Sequence, residues 1–103
     1  MKVSEEKAIY RKAIETFGAD EQLNIAKEEC AELIKALSKH HRVRTFESYD
    51  KRKIQRAVNN VLEELVDVEI MLDQIKMIYG FTDKRISEIK EFKLERLESK
   101  WDL

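Results

Sequence analysis

Hydrophobic side chains recur every three or four residues along most of the chain, the spacing that brings them to one face of an α-helix. The pattern predicts four helices, which span residues 4–17, 20–39, 51–79 and 82–99. Ser4 and Asp20 are suited to cap the first two helices, since their side-chain oxygens can accept from backbone N–H groups. Gly18 and Gly80 follow the first and third helices, where a left-handed residue often ends a helix. We therefore expect an all-α fold resembling a four-helix bundle.

The stretch between the second and third predicted helices, residues 40–53, is polar and basic. It holds five Lys or Arg residues and two histidines but only two acidic residues. We interpret it as a basic loop with at most a short turn of helix.

Composition supports a single helical domain over residues 1–103. A chain of 103 residues has the size of one domain. It contains no proline and two glycines, the residues that punctuate strands and turns. Their scarcity argues against an all-β fold.

Charge and cysteine content narrow the cellular context. The 20 Lys and Arg residues balance 21 Asp and Glu residues, so the net charge of −1 gives no general attraction to nucleic acid or to an anionic membrane. No apolar run is long enough to span a bilayer, and the first residues lack the apolar core of a signal peptide. The single cysteine, Cys30, lies in the apolar stripe of the second helix, where we expect a buried, inert thiol. We expect a cytoplasmic protein.

The third predicted helix is apolar on more than one face. Four further apolar residues widen its main stripe, so it needs covering from more than one side. Three other helices of the same chain could cover it, but a second subunit fits better, and we expect a homo-oligomer. The main stripe and the four added residues are, in turn, Ile54, Val58, Val61, Leu65, Val68, Leu72, Ile75 and Tyr79, then Leu62, Val66, Ile70 and Met77.

Two pairs of carboxylates border these apolar stripes. Glu29 and Glu32 are three residues apart on the second helix, and Glu64 and Asp67 are three apart on the third. Residues at this spacing are neighbours on one helix face. If the two edges meet, four carboxylates converge in a confined space.

Converging carboxylates predict a cation site. Four anions repel one another, and loss of water increases the repulsion, so they stay ionised only with cations between them. Hard oxygen ligands suit Mg²⁺ or Mn²⁺. The alternative is a solvated acidic face, which a chain with 40% charged residues produces often by chance.

The fourth predicted helix carries basic residues on its apolar side. Lys93 lies within the stripe and Arg96 at its flank. Such side chains commonly extend outward to water. Alternatively, they reach a phosphate chain held by the metal ions.

The acidic pairs carry a family resemblance. Glu-Glu-Cys-Ala-Glu-Leu at 28–33 and Glu-Glu-Leu-Val-Asp-Val at 63–68 resemble the E-E-x-x-E and E-x-x-D motifs of MazG-like nucleotide pyrophosphohydrolases. This family belongs to the all-α NTP pyrophosphatase superfamily. The resemblance covers residues 22–96. The chain is similar to the compact, single-domain MazG-like proteins found in phages and prophages. The segment between the two motifs is longer here than is usual for the family, and the extra length falls in residues 40–53.

The resemblance implies Mg²⁺-dependent hydrolysis of a nucleoside triphosphate, a dNTP or a non-canonical NTP, to a monophosphate and pyrophosphate, with Mn²⁺ as a possible substitute for Mg²⁺. It also implies a homo-oligomer, either a dimer or a tetramer. Carried over by position, the metal ligands are Glu29, Glu32, Glu64 and Asp67, of which Glu32 and Glu64 are also the catalytic candidates, and the substrate contacts are Lys93, Arg96, Gln22 and Asn60.

Two other readings stay open. One is a phosphoribosyl-ATP pyrophosphohydrolase-like enzyme, which would use the same chemistry on another substrate. The other is a non-catalytic helical oligomerisation or adaptor module whose acidic face binds a basic partner. Nucleic-acid binding through residues 40–53 is disfavoured by the charge balance of the whole chain.

Overall fold

The chain is helical throughout the part that the computed structural model describes, residues 1–101. No strand occurs in this part, which confirms the predicted all-α class with four helices. None of these helices combines the length and the apolar character needed to cross a bilayer. The helices are α1 (Val3–Phe17), α2 (Ala19–Phe46), α3 (Lys51–Tyr79) and α4 (Asp83–Glu98).

The first two helices begin earlier than predicted. Lys2 rather than Ser4 precedes α1, and its backbone N–H donates to Oε1 of Glu5 at 3.4 Å. Gly18 alone separates α1 from α2, and its φ of 91° provides the sharp change of direction. Asp20 therefore lies inside the first turn of α2, where its negative charge still favours the helix dipole.

The predicted loop over residues 40–53 is wrong, because most of it is helical. α2 continues to Phe46, and only residues 47–50 separate it from α3. Val43 is buried one heptad beyond Ala36, so the buried pattern carries on through the basic stretch. Lys and Arg are good helix formers, and no glycine or proline interrupts them. The basic side chains of residues 40–46 therefore lie on the exposed side of a helix and do not mark a loop.

α2 and α3 form an antiparallel hairpin. Near its open end, Gln22 Nε2 donates to Gln74 Oε1 at 2.7 Å. At its closed end, Lys53 Nζ lies 2.6 Å from Oε1 of Glu47. The side chains buried along the hairpin are mostly small, which lets the two helices approach closely. They are Gln22, Ala26, Ala36, Val43, Ala57, Met71 and Gln74.

The buried seam is rotated away from the apolar stripe predicted for α2. Cys30, Ile34 and Leu37 are exposed, so the expectation of a buried Cys30 thiol is wrong. The main stripe of α3 is likewise open in part, and Leu72 and Tyr79 are 46% and 58% exposed. Three alanines, with Val43, Met71 and the Gln22–Gln74 pair, occupy the helix–helix contact in place of most large residues of the predicted stripes. Much of the apolar surface therefore faces outward.

The two outer helices differ in their packing. α1 lies against both α2 and α3, and its Tyr10 hydroxyl donates to Asp73 Oδ2 on α3 at 3.4 Å. α4 packs against none of the other three helices. The radius of gyration of 17.5 Å accordingly exceeds the roughly 13 Å expected for a compact chain of this length.

The seam predicts that Ala36→Leu destabilises the fold. Ala36 is 2% exposed, so three extra carbons would force the helices apart. We expect a loss of about 1–3 kcal/mol in the free energy of unfolding, measured by urea denaturation followed by circular dichroism. Ala8→Leu, at an exposed position on α1, is the matched control and should stay within about 0.5 kcal/mol of wild type. An equal effect of both substitutions would contradict close packing at Ala36.

Candidate metal centre

Three of the four predicted carboxylates converge in the hairpin. Glu29 extends from α2, and Glu64 and Asp67 extend from successive turns of α3. One carboxylate oxygen of each lies within 4.8 Å of the other two. Glu29 and Glu64 are half-buried, whereas Asp67 is exposed at the rim. The cluster is therefore built by two helices and is open to solvent on one side.

The cluster is electrostatically strained. Burial is the largest cause that raises the pKa of Glu29 above its ordinary value, followed by the negative charges of Asp67 and Glu64. A hydrogen bond with Asp67 and the charge of Glu32 raise it further. Within residues 1–101, no ion pair links these three carboxylates to a basic side chain. The protein itself thus leaves the repulsion uncompensated.

The donor set fits a hard divalent cation. Three carboxylates at this separation offer only oxygen ligands, which Mg²⁺ and Mn²⁺ prefer. The open side leaves room for the waters or phosphate oxygens that complete a magnesium shell. A cation bound here would offset the negative charges of Asp67 and Glu64 that help to raise the pKa of Glu29.

Glu32 does not join the cluster. Its carboxylate is exposed and lies 3.5 Å from the Lys35 ammonium. It lines a cavity of about 410 Å³ together with Lys39, Arg42 and Asn60. Asn60, a predicted substrate contact, thus lies on the same cavity as Glu32. The role of Glu32 as a metal ligand stays a prediction.

This cavity contains basic residues that the sequence analysis missed. Lys35, Lys39 and Arg42 line it from α2, within the stretch beyond Glu32. Arg42 was missed because residues 40–53 were assigned to a loop, which gives Arg42 no helical register, whereas Lys35 and Lys39 lie within the helix predicted over residues 20–39. Once α2 is continued to Phe46, Lys39 and Arg42 follow Glu32 at helical intervals of seven and three residues.

Gln22 occupies a different position from the one predicted. It is 5% exposed and is bonded to Gln74, which is equally buried, so it packs between the helices rather than facing a ligand. Gln74 Nε2 in turn lies 3.5 Å from the sulfur of Met71. The signal for Gln74 was its position seven residues after Asp67, on the same face of α3.

The structure does not bring the predicted phosphate contacts on α4 to the cluster of their own chain. Lys93 and Arg96 are exposed, and α4 has no packing contact with α2 or α3.

Comparisons with known proteins add no relative: no protein-family model, no curated protein and no solved structure matches this chain.

The raised pKa of Glu29 predicts a pH-dependent stability with a definite sign. The folded state holds this proton more tightly than the unfolded state, whose carboxyl has the ordinary pKa of 4.5. The metal-free protein should therefore lose stability as the pH rises from 4.5 through the raised pKa. Glu29→Gln removes the charge, so in EDTA it should unfold at higher temperature than wild type at pH 7 and show a flatter pH profile.

Glu28→Gln is the matched control for this experiment. Glu28 is the exposed neighbour of Glu29 on α2 and should leave the melting temperature and its pH dependence unchanged. Thermal unfolding in EDTA between pH 4 and pH 8 compares the three proteins. A wild type that gains stability over this rise in pH would contradict the assignment.

Proposed function

We propose that the protein is a Mg²⁺-dependent nucleoside triphosphate pyrophosphohydrolase. The observation that carries the proposal is the convergence of Glu29, Glu64 and Asp67, the residues that match the acidic motifs of the MazG-like family. The substrates are nucleoside triphosphates, with dNTPs or non-canonical NTPs preferred. The products are a nucleoside monophosphate and pyrophosphate.

Glu29, Glu64 and Asp67 hold the metal in this proposal. When bound there, Mg²⁺, or Mn²⁺ in its place, would neutralise the polyphosphate charge and lower the pKa of a water molecule. Glu29 and Glu64 are both half-buried, so solvent screens their charges less than it screens the charge of the exposed Asp67.

Glu32 is the candidate to orient the attacking water or take its proton. It lies three residues after Glu29, on the same side of α2. Its ion pair with Lys35 is exposed on both sides, and such pairs contribute little energy. The side chain is therefore free to turn towards the cluster when substrate binds.

Lys39 and Arg42 are the candidates to bind the phosphates. They line the cavity beside Glu32, whereas Lys93 and Arg96 lie on a helix that does not reach it within one chain. An Arg guanidinium can grip a phosphate with two parallel hydrogen bonds, and a Lys ammonium adds charge. Asn60, on the same cavity, is the candidate contact for the base or sugar.

The proposal includes a homo-oligomer. The apolar side chains exposed on α2 and α3 support it, because a monomer would leave them in water.

The first test is pyrophosphate release from a panel of canonical and modified NTPs and dNTPs with Mg²⁺ or with EDTA. Metal-dependent release is expected in wild type. Glu64→Gln and Asp67→Asn should lower kcat by at least about a hundredfold, because each removes a metal ligand. Glu63→Gln, at the exposed neighbour of Glu64, is the matched control and should retain wild-type rates.

The same panel separates the competing readings. Release of pyrophosphate from phosphoribosyl-ATP and from no other substrate would favour the phosphoribosyl-ATP pyrophosphohydrolase-like enzyme. No release from any substrate by folded protein in Mg²⁺ would overturn the enzymatic proposal and favour the non-catalytic module.

A second test addresses the metal without relying on activity. Titration with Mg²⁺ or Mn²⁺ should raise the melting temperature of wild type, because a ligand that binds only the folded state stabilises it. Asp67→Asn should reduce this shift, whereas Glu28→Gln should retain it. An equal shift in all three proteins would place the metal elsewhere.

A further inference from the structure

Within residues 1–101, α4 packs against none of the other three helices. It has 16 residues, a length at which an isolated helix is marginal in water. Four large apolar side chains along it are more than 40% exposed: Ile89, Phe92, Leu94 and Leu97. A helix of this kind becomes stable when its apolar side is covered.

The junction between α3 and α4 holds α4 away from the hairpin. Gly80 ends α3 in a left-handed conformation, and the Phe81 N–H donates to the Lys76 carbonyl at 2.9 Å, as in a Schellman motif. The rings of Tyr79 and Phe81 stack with their centroids 5.4 Å apart. Thr82 then caps α4 by accepting from the Arg85 N–H. Folding α4 back onto its own chain would disrupt these contacts.

The hairpin carries an apolar surface that also lacks a partner. We call it the apolar groove, a depression of about 580 Å³ lined by side chains of both helices, among them Leu23, Cys30, Ile34, Ile75 and Tyr79. At about 100° per residue, these positions lie on the opposite side of the seam from Glu32 and Asp67. The groove is thus separate from Glu29, Glu64 and Asp67, and it shares Ile34 with the cavity beside Glu32.

The exposed area of the chain fits that of a subunit in a larger assembly. The chain exposes 8413 Å², whereas a compact monomer of 12.3 kDa exposes roughly 6,100 Å². The excess of roughly 2,300 Å² per chain is in the range that obligate homodimers bury on each partner.

We propose that α4 of one copy packs into the apolar groove of a second copy, and that the second copy returns its own α4 in the same way. This reciprocal exchange has two-fold symmetry and covers both unpartnered surfaces at once. Direct contact between two grooves would cover the hairpins but leave both copies of α4 bare. The proposal deepens the expected homo-oligomer and does not depend on the enzymatic activity.

Cys30 provides a direct test, since it is the only cysteine of the chain and lines the groove. A second cysteine is introduced on the apolar side of α4 by Ile89→Cys or, separately, Leu97→Cys. After mild oxidation of the full-length protein, at least one of these variants should form a covalent dimer that migrates at twice the 12.3 kDa chain mass without reductant. Tryptic mapping should show the Cys30 peptide joined to the α4 peptide of the other copy.

Glu95→Cys is the matched control, since it lies on the polar side of α4 and should form little of this cross-link. A disulfide within one chain would show that α4 folds back, and a Cys30–Cys30 disulfide would show that the grooves face each other. Either result, or no cross-link in both apolar-side variants, overturns the exchange.

A second measurement does not depend on disulfide geometry. Light scattering after size exclusion should give a dimer for wild type, and Ile34→Glu should weaken the dimer on the order of a hundredfold by placing a carboxylate in the groove. Ile34 is 65% exposed in the single chain, so the hairpin should stay helical by circular dichroism. Lys35→Glu, the adjacent exposed site outside the groove, should remain a dimer. A wild-type monomer, or an unchanged Ile34→Glu dimer, would contradict the proposal.

Discussion

The close approach of α2 and α3 is the constraint on which the rest of the molecule depends. Three alanines, Ala26, Ala36 and Ala57, are at most 4% exposed along the contact. Small side chains bring the helix axes together, so side chains at the edges of the contact meet across it. Glu29 then lies beside Glu64 and Asp67, although burial and charge oppose their meeting. The packing energy of the hairpin thus holds the three carboxylates close together against their mutual repulsion.

A buried amide pair gives this contact its register. Gln22 and Gln74 are bonded at 2.7 Å, and each lies seven residues from a member of the carboxylate cluster on its own helix. Sliding the helices by one turn would leave two buried amides without their partner, which costs more than an apolar mismatch. A polar pair at a heptad position is a known means of setting register. The pair thereby supports the relative placement of Glu29 and Asp67. This structural role explains why Gln22, which the sequence predicted as a substrate contact, is buried.

The sequence predicted the number and type of elements well and their faces less well. The bounds of α3 follow from its long periodic stripe and Gly80, and Thr82 marks the start of α4. The carboxylate pairs were found because three-residue spacing survives any rotation of the helix. The buried face of α2 was predicted only in part: Ala26 of the predicted stripe is buried, whereas Ile34 and Leu37 are exposed because close packing selects alanine over larger side chains. The helical 40–46 stretch was missed because its charge masked its continuing period.

Large hydrophobic residues are exposed on both faces of the hairpin: Ile34 lines the groove, and Val66 and Ile70 lie on the face that carries α1. A thin two-helix layer can bury only the residues between its helices, so large side chains on either side remain open until another layer covers them. On one side, α1 provides part of that layer through Tyr10 and Asp73. On the groove side, Ile34 is 65% exposed even though Ile75 and Tyr79 of α3 line the same groove. Since the carboxylates lie on the seam itself, any layer added to the groove side would hold α2 and α3 together from behind and so stiffen the cluster without blocking its open side.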